Sequence, residues 1–206
     1  PWTPTMRIFL NLLRRWPILL VSLGLLAPTA VLAQTQASQQ PKVRISTNMG
    51  DFEAELYADK APKTVANFVQ YVQDKHYDGT IFHRVIAGFM VQGGGYDAQY
   101  REKKTRPPVA HEGRQALAAG LKNTTGTLAM ARTNDPQSAT AQFFINVVDN
   151  AFLDPSFQSF GYTVFGKVTS GMDVVQKIRN TPTGAGGPFP TDVPRTPVVI
   201  QSITLL

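Results

Sequence analysis

The stretch Phe82-His83-Arg84-Val85-Ile86-Ala87-Gly88-Phe89-Met90-Val91-Gln92-Gly93-Gly94 gathers one arginine, one glutamine, two phenylalanines and a methionine. It holds no hydroxyl or thiol nucleophile and no acid, so neither covalent nor carboxylate acid/base catalysis can be built from it. It can offer an apolar seat for a ring, with a permanently charged, donor-rich planar group beside it. A second block, Gly126-Thr127-Leu128-Ala129-Met130-Ala131-Arg132, is followed by Ser138-Ala139-Thr140-Ala141-Gln142-Phe143-Phe144-Ile145. In a strand Phe143 and Phe144 face opposite sides, so one belongs to a core and the other can line a groove.

The elements that must carry these groups are mostly short strands. Val43–Ser46 and Phe52–Leu56 alternate around the turn Asn48-Met49-Gly50-Asp51, which predicts a hairpin with one buried face. Pro62 near a first turn, with Val65, Phe68, Val69 and Val72 on one face, predicts a helix. Thr80–Phe82, Phe89–Gln92, Thr127–Ala131, Gln142–Val147, Thr163–Val168 and Val198–Ile203 read as further strands, and Gly171–Arg179 as a second helix. Asp97–Arg114 and Thr181–Pro197 read as surface loops. Many short strands with two helices point to a closed, mostly antiparallel barrel.

The 206 residues are 43% hydrophobic and only 17% charged, which suits one folded domain plus a short extra segment and excludes a disordered chain. There is no cysteine, so disulfides and thiolate metal sites are excluded. Of the net charge of +6, Arg7, Arg14 and Arg15 supply half, before any acid appears. No Lys/Arg cluster is interleaved with aromatics, which argues against a nucleic-acid partner. His76, His83 and His111 lack close metal-ligand spacing, and no metal site is expected. Gly93-Gly94-Gly95 is not followed by Gly-Lys-Ser/Thr, so it is read as glycine needed for unusual backbone angles rather than a phosphate loop.

Met6 reads as the true start, and Pro1–Thr5 as an upstream artefact. Basic Arg7, Arg14 and Arg15, an apolar run Trp16–Leu26 and a small-residue end Val31-Leu32-Ala33 predict a signal peptide over residues 1–33, cleaved before Gln34. Its apolar core falls short of the roughly 20 residues of a membrane span, although an uncleaved leader would tether the chain. Residues 34–41 read as a flexible linker and 42–206 as the folded domain.

The two site blocks, in this order, resemble the active-site segments of the cyclophilins, the peptidyl-prolyl cis-trans isomerases. Asp149–Asp154 and Phe160-Gly161-Tyr162 resemble the bacterial periplasmic branch. The resemblance implies a closed eight-stranded antiparallel barrel capped by two α-helices. It implies Arg84 as the catalytic group, donating to a proline nitrogen as its bond to the preceding carbonyl twists. It implies Phe89, Met90 and Phe144 as the ring pocket. Gln92, Gln142 and the backbone at Ala131 and Arg132 would hold flanking carbonyls. His83, Phe152, Leu153 and Tyr162 would complete the wall, with His83 read as a hydrogen-bonded structural histidine rather than an acid or base. Phe152, Arg132 and Tyr162 depart from the common eukaryotic pattern of tryptophan, asparagine and histidine. No cofactor is expected. The expected partners are proline-containing peptides and unfolded exported proteins, met by a monomer in the periplasm with no stable membrane insertion once the leader is cleaved. A non-catalytic peptide-binding or chaperone module on the same scaffold is the alternative.

Overall fold

The first strand shows the rule that builds the molecule. In Lys42–Thr47 the side chains of Val43, Ile45 and Thr47 are buried while Lys42 and Arg44 face water, the period-two pattern of a half-buried strand. The computed structural model describes residues 40–206; the expected leader and Gln34–Gln39 of the linker lie outside the described residues.

In chain order the elements are β1 Lys42–Thr47, β2 Gly50–Leu56, α1 Pro62–Gln73, β3 Thr80–Ile81, β4 Arg84–Ile86 and β5 Met90–Gly93. There follow α2 Gly113–Ala118, β6 Thr127–Met130, β7 Phe143–Asn146, a 3-10 turn Ala151–Leu153, β8 Val164–Ser170 and α3 Met172–Arg179. The chain ends with β9 Thr183–Gly186, β10 Phe189–Pro194 and β11 Val199–Leu205. Among the described residues nine strands form one antiparallel sheet, in the order β3-β11-β1-β2-β8-β6-β7-β5-β4.

The sheet is strongly curled, but it is not the closed eight-stranded ladder that was expected. Its edges are β3 and β4, consecutive in the chain and joined only by Phe82 and His83. Ile81 pairs with Val199 on β11, whereas Arg84 pairs with Gln92 on β5. The backbone therefore crosses from one edge of the sheet to the other, and the ladder stops on each side of the crossing. Two further differences concern the expected loops. Gly113 and the residues after it form α2, and the Gly/Pro-rich stretch at 181–197 contains the β9–β10 hairpin.

The interior is one apolar cluster. Phe68 of α1 meets the rings of Tyr77, Phe143 and Phe165 at centroid distances of 5.1, 5.5 and 5.1 Å. Val174, Val175 and Ile178 of α3 join the same cluster. The start of α1 has no capping side chain of its own, since Ala61 stands at the cap. Buried Glu112 supplies the cap from a distant part of the chain. Its Oε2 accepts from the Thr64 N–H at 2.8 Å and the Thr64 hydroxyl at 2.7 Å, and its Oε1 accepts from the Lys63 N–H at 3.1 Å. A carboxylate there satisfies orphan donors and meets the positive end of the helix dipole. This fixes α2, which starts at Gly113, against α1.

Candidate active site

Strand pairing on the outer face creates the site. Arg84 of β4 lies opposite Gln92 of β5, Gln92 opposite Phe144 of β7, and Phe144 opposite Ala129 of β6. Directly paired residues point to the same face of a sheet, so these four side chains form one row across four strands. Their neighbours Val85, Val91, Phe143 and Leu128 point inward and belong to the interior cluster. Phe143 is thus core and Phe144 the groove residue. Behind the row a second apolar cluster forms outside the barrel interior, from Met90, Ala129, Phe144, Leu153 and Val164, with Phe89, Ala131 and Tyr162 packed against it.

Arg84, Gln92 and Phe144 of the row, with Met90 and Leu153 of this cluster, line a cavity of about 400 Å³. Arg84 and Gln92 stand at its polar side, and Met90, Phe144 and Leu153 are its buried apolar parts. Phe89 and exposed Phe152 stack at 5.6 Å with an interplanar angle of 25°, and Tyr162 meets Phe144 edge-on at 5.5 Å. Ala131 and Arg132 complete the lining. No carboxylate, thiol or imidazole lines the cavity among the described residues. Such a set can orient and polarise a neutral ligand but cannot shuttle a proton at neutral pH.

Two of the expected site residues stand apart from the lining. Gln142 adjoins it through Gln92, its Oε1 accepting from Gln92 Nε2 at 3.1 Å and its own amide N–H₂ left to donate. His83 lies between Tyr96 and Phe189, with ring centroids 4.8 and 5.2 Å away. It belongs to the two-residue link between β3 and β4, outside the row that carries Arg84. Its Nδ1 is buried with no hydrogen-bond partner among the described residues.

Of the backbone expected to hold a ligand's carbonyls, the Ala131 N–H is already engaged, and the Arg132 side chain has a separate structural part. The Ala131 N–H donates to the Gln142 carbonyl at 3.0 Å. The Arg132 guanidinium donates twice to the Gly161 carbonyl, at 3.0 and 2.9 Å, and to the Thr133 carbonyl at 2.8 Å, and it sits 4.7 Å from the Tyr162 ring centroid. Arg132 is therefore a brace that fixes Tyr162. Gly161 is glycine for a physical reason: its φ is +61°, and a Cβ would meet the Leu153 carbonyl. Arg84, by contrast, is exposed and has no hydrogen-bond or ion-pair partner among the described residues.

Sequence reasoning missed a buried asparagine network under the cavity. Asn146 Nδ2 donates to Thr127 Oγ1 at 2.9 Å and to Asn123 Oδ1 at 3.2 Å, and Asn150 Nδ2 donates to Asn146 Oδ1 at 2.8 Å and to the Phe89 carbonyl at 3.0 Å. This network ties the Phe89 turn to β6 and β7. Its signal was Asn146 ending the apolar run Phe143-Phe144-Ile145, since a polar residue there must be buried and paired.

Comparison with known proteins shows which family the chain is similar to. Residues 42–205 match the family described as "Cyclophilin type peptidyl-prolyl cis-trans isomerase/CLD". The chain is 50% identical over 182 residues to a peptidyl-prolyl cis-trans isomerase of Acinetobacter baylyi, covering 88% of this chain and 91% of that one. It is 52% identical over 166 residues to peptidyl-prolyl cis-trans isomerase B of Escherichia coli, covering 79% and 98%. A crystal structure of a Cryptosporidium parvum cyclophilin type isomerase in the presence of the dipeptide Ala-Pro is similar with a TM-score of 0.61 at 27% identity, over 80% of this chain and 98% of that one.

His83 gives the fold a defined acid sensitivity. Burial pushes its pKa down from 6.5 to about 4, and the neighbouring Arg84 charge pushes the same way. The unfolded chain takes up a proton near pH 6.5 and the folded one only near 4. Stability is therefore full above 6.5 and falls as the pH drops towards 4, by on the order of 3 kcal/mol. Denaturant titrations at pH 7 and pH 4 should show a smaller acid loss for His83→Phe than for the wild type; equal losses would contradict this assignment.

Proposed function

The chain belongs to the cyclophilin-type peptidyl-prolyl cis-trans isomerases, and from that premise we propose that Arg84 lowers the rotation barrier of an Xaa-Pro bond held in the cavity. The barrier is about 18–20 kcal/mol because the C–N bond is partly double. At the twisted state conjugation is lost and the proline nitrogen regains a lone pair. A group that donates to that lone pair stabilises the twisted state over both planar ones, which is what catalysis requires. Arg84 is charged at every working pH and free of competing partners among the described residues, and this freedom is the observation that carries the reading.

The other lining residues, with Gln142 beside them, have supporting parts. Met90, Phe144 and Phe89 seat the proline ring, with Phe152, Leu153 and Tyr162 as its wall. The Gln92 and Gln142 amides hold a carbonyl on one side of the bond while the other side turns. No step transfers a proton or needs a cofactor. Proline-containing peptides are the ligand class, a reading supported by the relative's structure with Ala-Pro. The basic, apolar, small-residue order of residues 6–33 supports export, so that the clients are exported proteins folding in the periplasm.

The chain from Gln34 onward should accelerate cis-trans exchange in a short Xaa-Pro peptide, with EDTA leaving the rate unchanged. Arg84→Lys should keep only on the order of a tenth of the rate, because a point ammonium lacks the planar fork. Peptide binding without acceleration would make the chain a binding module instead. For export, N-terminal sequencing of the protein from fractionated cells should read from Gln34 or close to it; an intact leader in the membrane pellet would favour the tether.

A further inference from the structure

The loop from Asp154 to Gly161 leaves the cavity wall at Leu153 and rejoins it at Tyr162, and a 2.9 Å hydrogen bond from the Tyr162 N–H to the Leu153 carbonyl closes its neck. It is a compact Ω-type loop rooted in the site. Its inside is tied down. Ser156 Oγ accepts from the N–H groups of Gln158 and Ser159 at 3.2 and 3.1 Å, the Ser156 N–H donates to the Ser159 carbonyl at 2.9 Å, and Arg114 holds the Ser156 carbonyl at 2.9 Å. At the tip of this braced loop Phe157 is 104% exposed. Phe160 is partly occupied by Arg114 and His111, but Phe157 has no aromatic or cationic partner among the described residues.

We infer that Phe157 is a second seat for the polypeptide substrate, taking an apolar side chain several residues from the proline. This rests on the isomerase reading above. A chain spans at most about 3.5 Å per residue, so Phe157 stands within roughly 14 Å of Leu153, a distance that four or five extended substrate residues cover. From Pro155 to Gly161 the loop itself carries no charge, which suits a neutral, apolar stretch of unfolded chain, and the Arg114 and Arg132 guanidinium groups that brace it are engaged by the Ser156 and Gly161 carbonyls. A second exposed ring, Phe152, lies on the segment leading into the loop, lines the cavity and stacks on Phe89. A braced loop holds Phe157 in place before binding, so little ordering cost is left for the encounter.

Decapeptides with leucine or serine five residues before or after a single proline test this, alongside a short Xaa-Pro tetrapeptide. The wild type should bind and turn over one of the leucine decapeptides about fivefold better than its serine twin, the effect of partly burying one aliphatic side chain. Phe157→Ser should abolish that preference through KM while leaving kcat and tetrapeptide turnover unchanged, and Phe157→Leu should restore most of it. Loss of the leucine preference in direct binding titrations supports the seat even if no peptide is isomerised, a result that would instead defeat the isomerase reading. An equal preference in Phe157→Ser overturns the seat. So does Phe157-dependent sedimentation with phosphatidylcholine vesicles when the leucine preference is absent, which would assign the tip to a membrane surface.

Discussion

The register that sets Arg84 against Gln92, Gln92 against Phe144 and Phe144 against Ala129 is the constraint on which the rest depends. Side chains alternate strictly along each strand, so a slip of one residue in β4 would turn Arg84 into the interior and expose Val85. The interior cannot accept an unpaired guanidinium, and the exterior gains nothing from valine. The hydrophobic pattern that folds the barrel is therefore the same pattern that presents the cation. Stability and site geometry are set by one choice of register.

Polar ties carry that register into the walls. The asparagine network fixes the turn bearing Phe89, and Arg132 fixes the Gly161 backbone beside Tyr162. The two arginines of the site illustrate how identical groups diverge by surroundings. Arg132 has carbonyls and a ring to satisfy it and becomes structural; Arg84 has neither, so its donors remain available to whatever enters. The apolar cluster behind Phe144 keeps water from one side of the cavity, and a charge–dipole contact formed there is less screened than on open surface.

Much of this was legible in the sequence because the site rests on local alternation. Phe143 and Phe144 were separable into core and groove by period alone, whereas β4 at Arg84–Ile86, only three residues long, was not read as a strand. What depended on distant pairing was not legible. Whether the ladder closes is decided where Phe82 and His83 cross between edges, and no local pattern marks that crossing. The β9–β10 hairpin lacks hydrophobic alternation in Thr183-Gly184-Ala185-Gly186, so only its packing reveals it. The Glu112 cap joins groups far apart in the chain. His83 is a different case: the sequence grouped it with the site wall, and it stands instead between the rings of Tyr96 and Phe189, which come to it from outside its own segment.

The central claim is that Arg84 acts on the twisted state and not on the planar ground states. Exchange spectroscopy by NMR on an Xaa-Pro peptide, with the affinity taken from chemical-shift titration in the same samples, separates the two. In Arg84→Ala the account predicts an affinity within about twofold of the wild type and an exchange rate lower by at least an order of magnitude, roughly 1.4 kcal/mol or more at the transition state. An exchange rate that falls only in proportion to the affinity would contradict it, because Arg84 would then be binding the substrate rather than easing its rotation.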